Sequence, residues 1–176
     1  MREILEPAWK LFIIALVAGL VLSLTNAATK DAIAAQQRVE SEAAKFVLTS
    51  AETFELVNEG EGGMDNVYRG FNSSGDMVGL VGTITTNGYG GKIEVTVGLA
   101  ASGEVTGISV GGPNFNETVN LGAKVKEPAF TDQFAGKEPP FTLKEDIIPI
   151  TSATISSTAV TSAVNDAAAY MSTLLD

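Results

Sequence analysis

Between Lys10 and Lys30 the chain runs for nineteen residues without a charge, LFIIALVAGLVLSLTNAAT from Leu11 to Thr29. A bilayer hydrocarbon core is crossed by a helix of about 20 apolar residues, so this run alone decides how the rest can be arranged. It predicts a transmembrane helix over residues 11–29, preceded by a short flank at 1–10 and followed by everything polar enough to fold in water. A signal peptide is the other reading, because TNAATKDA offers small residues at a cleavage position. The anchor is preferred, since the run exceeds a signal-peptide core and Pro7-Ala8-Trp9 stands before it like an interfacial anchor. Arg2 and Lys10 on one side are balanced by Lys30, Arg38 and Lys45 on the other, so orientation follows from the tiny flank and the acidic bulk downstream. Both favour an extracytoplasmic C-terminal domain on a single-pass anchor in the cell membrane.

Composition narrows what that domain can do. Asp plus Glu number 21 against 11 Lys plus Arg, a net charge of -10, which argues against a nucleic-acid groove and for proteins or small molecules as partners. There is no Cys and no His among the 176 residues. Disulfides, thiolate nucleophiles, iron–sulfur ligation, His-bound zinc or haem, and the commonest general base are thereby excluded. Most catalytic repertoires are therefore closed, and the sequence singles out neither a metal site nor a catalytic residue.

After the apolar run, DAIAAQQRVESEAAKFVL (31–48) holds good helix formers without Gly or Pro and predicts a helical stalk over residues 30–57. The polar, Gly-rich NEGEGGMDN (58–66) ends the stalk and opens a domain at 58–176. NVYRGF and MVGLVGTIT, separated by a turn at 72–76, read as one hairpin. The clearest alternation is KIEVTVGL, with Ile93, Val95, Val97 and Leu99 on one face and Lys92, Glu94 and Thr96 on the other. It is joined to VTGISV through Ala101-Ser102-Gly103-Glu104, a second hairpin. Connections this short demand an antiparallel sheet. A long loop region with a short helix near 128–134 follows, and the chain closes with a helix on which Ile155, Val160, Ala163, Val164, Ala167, Met171, Leu174 and Leu175 recur at helical spacing. The fold class is therefore α+β: an N-terminal membrane helix, an antiparallel sheet and a C-terminal amphipathic helix.

At the start of that last helix stands PITSATISSTAV (149–160), with Thr151, Ser152, Thr154, Ser156, Ser157 and Thr158 crowded behind a proline. Three uses present themselves. Ser and Thr cap the unpaired N–H groups of a first helical turn. The same N–H groups, with the positive end of the helix dipole, form a seat for phosphate without any Lys or Arg. A Ser nucleophile is the poorest of the three, with no His as base and no G-x-S-x-G elbow.

TSATISS (151–157) resembles the Ser/Thr-Gly-Ala-Thr motif of FMN-binding domains, in which FMN is esterified through its phosphate to the last threonine. GYGGKIEVTVGL (88–99) is similar to the Gly-Tyr-Gly-Gly strand of that family, and ETVNLGAKVKEPAFTDQFAGK (117–137) to its Glu-Thr-Pro-Gly-Leu-Gly segment and the Phe-x-x-Gln-Phe beyond it. With the single anchor, nearly the whole chain resembles the G subunits of Rnf-type ferredoxin:NAD oxidoreductases. Three departures stand out: Ser152 replaces the motif's Gly, Val119-Asn120 replaces Pro-Gly, and Ile148 occupies the place of a customary acidic residue, with Asp146 two residues earlier.

The resemblance implies a membrane-anchored flavoprotein with covalent FMN on Thr154. It would relay electrons among the other subunits of a complex that couples ferredoxin and NAD redox chemistry to ion translocation. Ser152, Ser156 and Ser157 become phosphate contacts, while Tyr89, Gly90, Gly91, Glu117, Thr118, Leu121, Gly122 and Lys124 come near the flavin ring. A separate flavin transferase using FAD is implied as a maturation partner, since nothing in the chain activates a threonine hydroxyl. Read without the resemblance, the glycines make a turn, Tyr89 is a core or sheet-surface aromatic, and Glu117 and Lys124 are solvated. The chain would then be a cofactor-free, surface-anchored binding module. A stand-alone extracytoplasmic flavin carrier is the third possibility.

Overall fold

A computed structural model describes residues 9–21, 23 and 47–175. The chain divides into two compact units, Met1–Glu40 and Ser41–Asp176. In the first, residues 9–21 and 23 are helical with exposed side chains, and Trp9 stacks on Phe12 at 5.7 Å between ring centroids. Among the described residues no helix is long and apolar enough to cross a membrane. The expected membrane span continues through residues 22 and 24–29, which lie outside the described residues, as does the stalk from 30 to 46.

The second unit is a five-stranded antiparallel meander, β1 Thr53–Glu59, β2 Asn66–Phe71, β3 Met77–Asn87, β4 Lys92–Ala100 and β5 Val105–Gly111, in the order β1-β2-β3-β4-β5. A 3-10 helix at Gly122–Lys126 and a short α1 at Pro128–Thr131 lead to α2, Thr154–Ser172, which packs on β3, β4 and β5. The alternation of β4 does what its pattern requires: Ile93, Val95, Val97 and Leu99 are fully buried against Val160, Val164, Ala167, Ala168 and Met171 of the helix. Phe130, Phe134 and Phe141 close one end of this layer edge to face, with centroids 5.7 and 5.2 Å apart. Both expected hairpins are present, and in the first Asn72 Oδ1 accepts from the N–H groups of Ser74 and Asp76 at 2.9 Å, fixing the turn.

Two expectations are corrected. Residues 53–57 are not stalk but belong to β1, paired with β2, so the Gly-rich 58–66 stretch holds the end of β1, the 60–65 loop of a third hairpin and the start of β2. Ile155 is 57% exposed and faces away from the core, whereas Ser156, Ser157 and Thr161 are buried. A further element was unforeseen: Val47, Leu48 and Ala51 cover Val81 on the sheet face opposite α2. Thr106 Oγ1 donates to the Val47 carbonyl there, and a Cβ at Gly98 would come within 2.5 Å of that same oxygen, so only glycine admits this approach.

Phe134 is fully buried between two aromatic partners, whereas Ile148 is 75% exposed. Urea unfolding of Phe134→Ala is expected to show a loss of about 3–5 kcal/mol. Ile148→Ala should change stability by less than about 0.5 kcal/mol.

Candidate functional site

The site is assembled where three segments meet. The first is the tip of the β3–β4 hairpin, closed by a hydrogen bond from Gly88 N–H to the Gly91 carbonyl at 2.8 Å, with Tyr89 standing out 70% exposed. The second is the loop after β5. It passes so close to the tip that a Cβ on Gly90 would lie 2.0 Å from the Asn116 carbonyl, and it is steadied by Lys126 over the Phe115 ring at 4.9 Å. The third is the entry to α2.

Glu117 joins all three. Its side chain is 7% exposed, its Oε1 accepts from Gly90 N–H at 3.0 Å, and its Oε2 accepts from the Ser156 hydroxyl at 2.8 Å. A Cβ on Gly122 would fall 2.0 Å from Oε2, so that glycine makes the room the carboxylate occupies. The residue read from sequence as solvated is instead a buried link between a hairpin and a helix. Two donors satisfy its oxygens, as a buried carboxylate requires.

At the entry to α2 the hydroxyl cluster sorts itself. Ile150 to Ala153 form a turn closed by Ala153 N–H on the Ile150 carbonyl at 3.0 Å, with Ser152 in the left-handed region at φ 62°. The N-cap is Ala153, without a side-chain cap hydrogen bond, so the capping use of the hydroxyls is not the one the chain makes. Ser157 is fully buried; its hydroxyl donates to the Ala153 carbonyl and accepts from Ile150 N–H, both at 3.0 Å. Ser156 has one proton and gives it to Glu117. Neither hydroxyl proton is therefore free for a phosphate, which departs from their expected roles. Of the 151–158 cluster, Ser152 and Thr154 are the two that are both exposed and in the wall of the cleft formed here, which the exposed Thr118 also lines.

That cleft has a volume of ≈ 460 Å³, inside the range of roughly 300–1,000 Å³ usual for ligand sites. The structure brings Tyr89, Glu117, Thr118, Leu121, Gly122, Ser152, Thr154 and Ser156 into its wall, and adds Ala153 and Ile155, which the sequence reading did not include. Gly90 and Gly91 instead face a neighbouring open concavity of ≈ 720 Å³ shared with Lys92 and Pro113 to Asn116. Lys124 is exposed and lines neither. Ile155 could have been recognised: five residues before Val160, it is rotated by roughly 140° from the core stripe at 3.6 residues per turn.

Two of the sequence departures fall on special backbone. Asn120, at the place of the motif's second-position glycine, and Ser152 both have φ 62°. Asn tolerates this setting better than other side-chain-bearing residues, while Ser does so at a cost. Ser152→Gly is expected to raise stability by up to about 1 kcal/mol, and Ser152→Val to lower it by about 1–2 kcal/mol, in urea melts. Equal midpoints for the two would mean that residue 152 is not held in the left-handed region.

Comparison with known proteins bears on the same residues. The FMN-binding domain family matches residues 88–169, a span that contains the whole cleft. The chain is 38% identical, over 93% of its length and 93% of the relative's, to the G subunit of the Na(+)-translocating ferredoxin:NAD(+) oxidoreductase complex of Acetobacterium woodii. It is 31% identical to the G subunit of the ion-translocating oxidoreductase complex of Methanosarcina acetivorans, over 97% and 96% of the two chains. Among solved structures, the C subunit of the Na(+)-translocating NADH-quinone reductase of Parabacteroides distasonis shares the fold, at a TM-score of 0.51 with 16% identity, over 74% of this chain and 83% of that one.

Proposed function

This chain belongs to the family of G subunits of ion-translocating, Rnf-type ferredoxin:NAD(+) oxidoreductase complexes and carries an FMN-binding domain, and from that premise we propose that it is a membrane-anchored electron carrier with FMN esterified to Thr154. The observation that carries the reading is the fate of the hydroxyls. Of the crowded cluster, Thr154 is the residue that begins α2, is exposed, and opens into a cleft beside a helix N-terminus free of side-chain caps.

The residues fit an FMN phosphate and ring. The first-turn N–H groups of α2 have no intrahelical acceptors and would receive phosphate oxygens, assisted by the helix dipole and the exposed Ser152 hydroxyl. Tyr89, Leu121 and Ile155 supply the apolar wall that would flank the ring and keep water from it. Bound there, FMN supplies one- and two-electron redox chemistry, while the chain contributes position and polarity. Attachment needs a flavin transferase with FAD as donor: the phosphorus–oxygen bond to Thr154 forms as the FAD pyrophosphate breaks, and AMP leaves with the hydroxyl proton. A chain without His lacks the commonest general base for that step. Its partners are the other subunits of such a complex, which provide the electron donor, the acceptor and the ion path.

The match of residues 88–169 to FMN-binding domains favours this reading over a cofactor-free binding module, and the N-cap at Ala153 removes capping as the use of the hydroxyls. Peptide mass spectrometry on protein made beside a flavin transferase should find one FMN less water on the peptide holding Thr154, and none in Thr154→Val. An unmodified wild-type peptide would overturn the flavoprotein reading. The uncharged run at 11–29 supports a retained anchor, and the short flank before it with the acidic bulk after it supports a domain outside the cytoplasm. Alkaline carbonate washing of membranes is expected to leave the full chain in the pellet, and its release into the wash would oppose the anchor.

A further inference from the structure

We infer that Glu117 is a positioning residue, whose buried carboxylate sets where the Tyr89 hairpin tip stands relative to Thr154. The final consequence of this rests on the flavin reading; the bridge itself does not. Gly90 and Ser156 belong to segments far apart in the chain, and among the described residues no hydrogen bond joins the 88–91 turn directly to 151–157. The link passes through one side chain. Gly90 N–H holds Oε1 at 3.0 Å and the Ser156 hydroxyl holds Oε2 at 2.8 Å.

Two glycines make room for the carboxylate, and a third lets the backbone beside it approach the hairpin tip. An added Cβ at Gly88 would stand 2.2 Å from Oε1, one at Gly122 2.0 Å from Oε2, and one at Gly90 2.0 Å from the carbonyl of Asn116, the neighbour of Glu117. The backbone has been cleared around both oxygens at Gly88 and Gly122, and each oxygen finds a donor in the space so opened. The two walls are thus fixed at the span of one carboxylate and two hydrogen bonds. Each oxygen spends one of its lone pairs on this link, and through it Glu117 acts on the cleft by way of Gly90 and Ser156. It also takes up the only proton of Ser156, which is then not free to donate into the cleft.

The role is one of geometry, so an amide of the same shape should serve. Glutamine can accept from Gly90 N–H and donate to Ser156 Oγ, whose hydroxyl rotates to receive it. The test uses the full chain prepared without flavin, as wild type, Glu117→Gln, Glu117→Ala and Ser156→Ala. Amide hydrogen exchange at Gly90 is expected to be about tenfold faster in Glu117→Ala, with the β4 amides unchanged, and within about threefold of wild type in Glu117→Gln. The rate of FMN attachment at Thr154, followed by intact mass with a flavin transferase and FAD, should fall by about tenfold in Glu117→Ala and recover in Glu117→Gln. Ser156→Ala, which leaves Gly90 its acceptor, should slow attachment by about threefold, and it tests the same link if Glu117→Ala does not fold.

Wild-type exchange at Gly90 in Glu117→Ala would overturn the bridge. A Glu117→Gln variant as defective as Glu117→Ala would also overturn it, assigning the role to charge instead of position. Should wild type itself take up no FMN, the flavin reading fails and the exchange rates at Gly90 still decide the bridge.

Discussion

The burial of one face of β4 under α2 is the constraint from which the rest of the molecule follows. Ile93, Val95, Val97 and Leu99 have no exposure, and the helix residues that cover them, Val160, Val164, Ala167 and Met171, have none either. The direction of the helix is set by its two ends. Ser156 meets Glu117 beside Gly88, while the sulfur of Met171 lies 3.0 Å from where a Cβ on Gly82 would be. The fifteen residues from Ser156 to Met171 rise about 22 Å in a helix, and the six from Gly88 to Gly82 span about 20 Å in a strand. The two lengths agree, so α2 runs back along β3 from the hairpin tip. A helix packed to bury its apolar stripe thereby delivers its N-terminus to the β3–β4 turn, and the cleft is a consequence of that delivery.

Much of this was legible because local pattern and tertiary demand agree. KIEVTVGL alternates without interruption, its register with β3 is unbroken from Gly79 to Asn87, and its turn residues sit where turns occur. β1 was missed for a physical reason. A bulge between Leu56 and Asn58 resets the period of two, leaving Phe54 and Val57 half-buried and Leu56 49% exposed, so TFELVNE shows no clean alternation and reads as the tail of a helical run. The Val47 to Ala51 cover was hidden similarly: its partner is the space above Gly98, and an absent side chain leaves no hydrophobic signal.

At the site the sequence revealed which residues matter more readily than what each does. The glycines at 88, 90 and 122 read as turn residues, but two of them make room for one carboxylate and the third lets two backbones touch. Glu117 read as solvated because its donors, a backbone amide and a serine, lie 27 and 39 residues away. Ser156 looked like a free hydroxyl for the same reason, whereas Ser157 is taken up locally, by the Ala153 carbonyl one turn back and the Ile150 N–H. Ser152 and Asn120 illustrate the converse. Each departs from a glycine motif, yet each keeps the left-handed backbone that the motif's glycines would provide.

The composition of the cleft also bears on why a covalent attachment suits it. Neither Lys nor Arg contributes to its wall, and Lys124, the basic residue of the neighbouring 3-10 turn expected there, is exposed elsewhere. What remains for a phosphate is one helix N-terminus, whose dipole contributes about 0.3–1 kcal/mol at an exposed position, and neutral hydroxyls such as those of Ser152 and Thr118. In a chain of net charge -10, long-range electrostatics oppose rather than assist the binding of a dianionic phosphate. A seat of this kind orients a phosphate far better than it retains one. Under the proposed function, a phosphoester to Thr154 removes one of the negative charges and makes retention independent of affinity. The weak anion seat is then left with orientation as its task, which the Glu117 bridge and the first turn of α2 are built to perform.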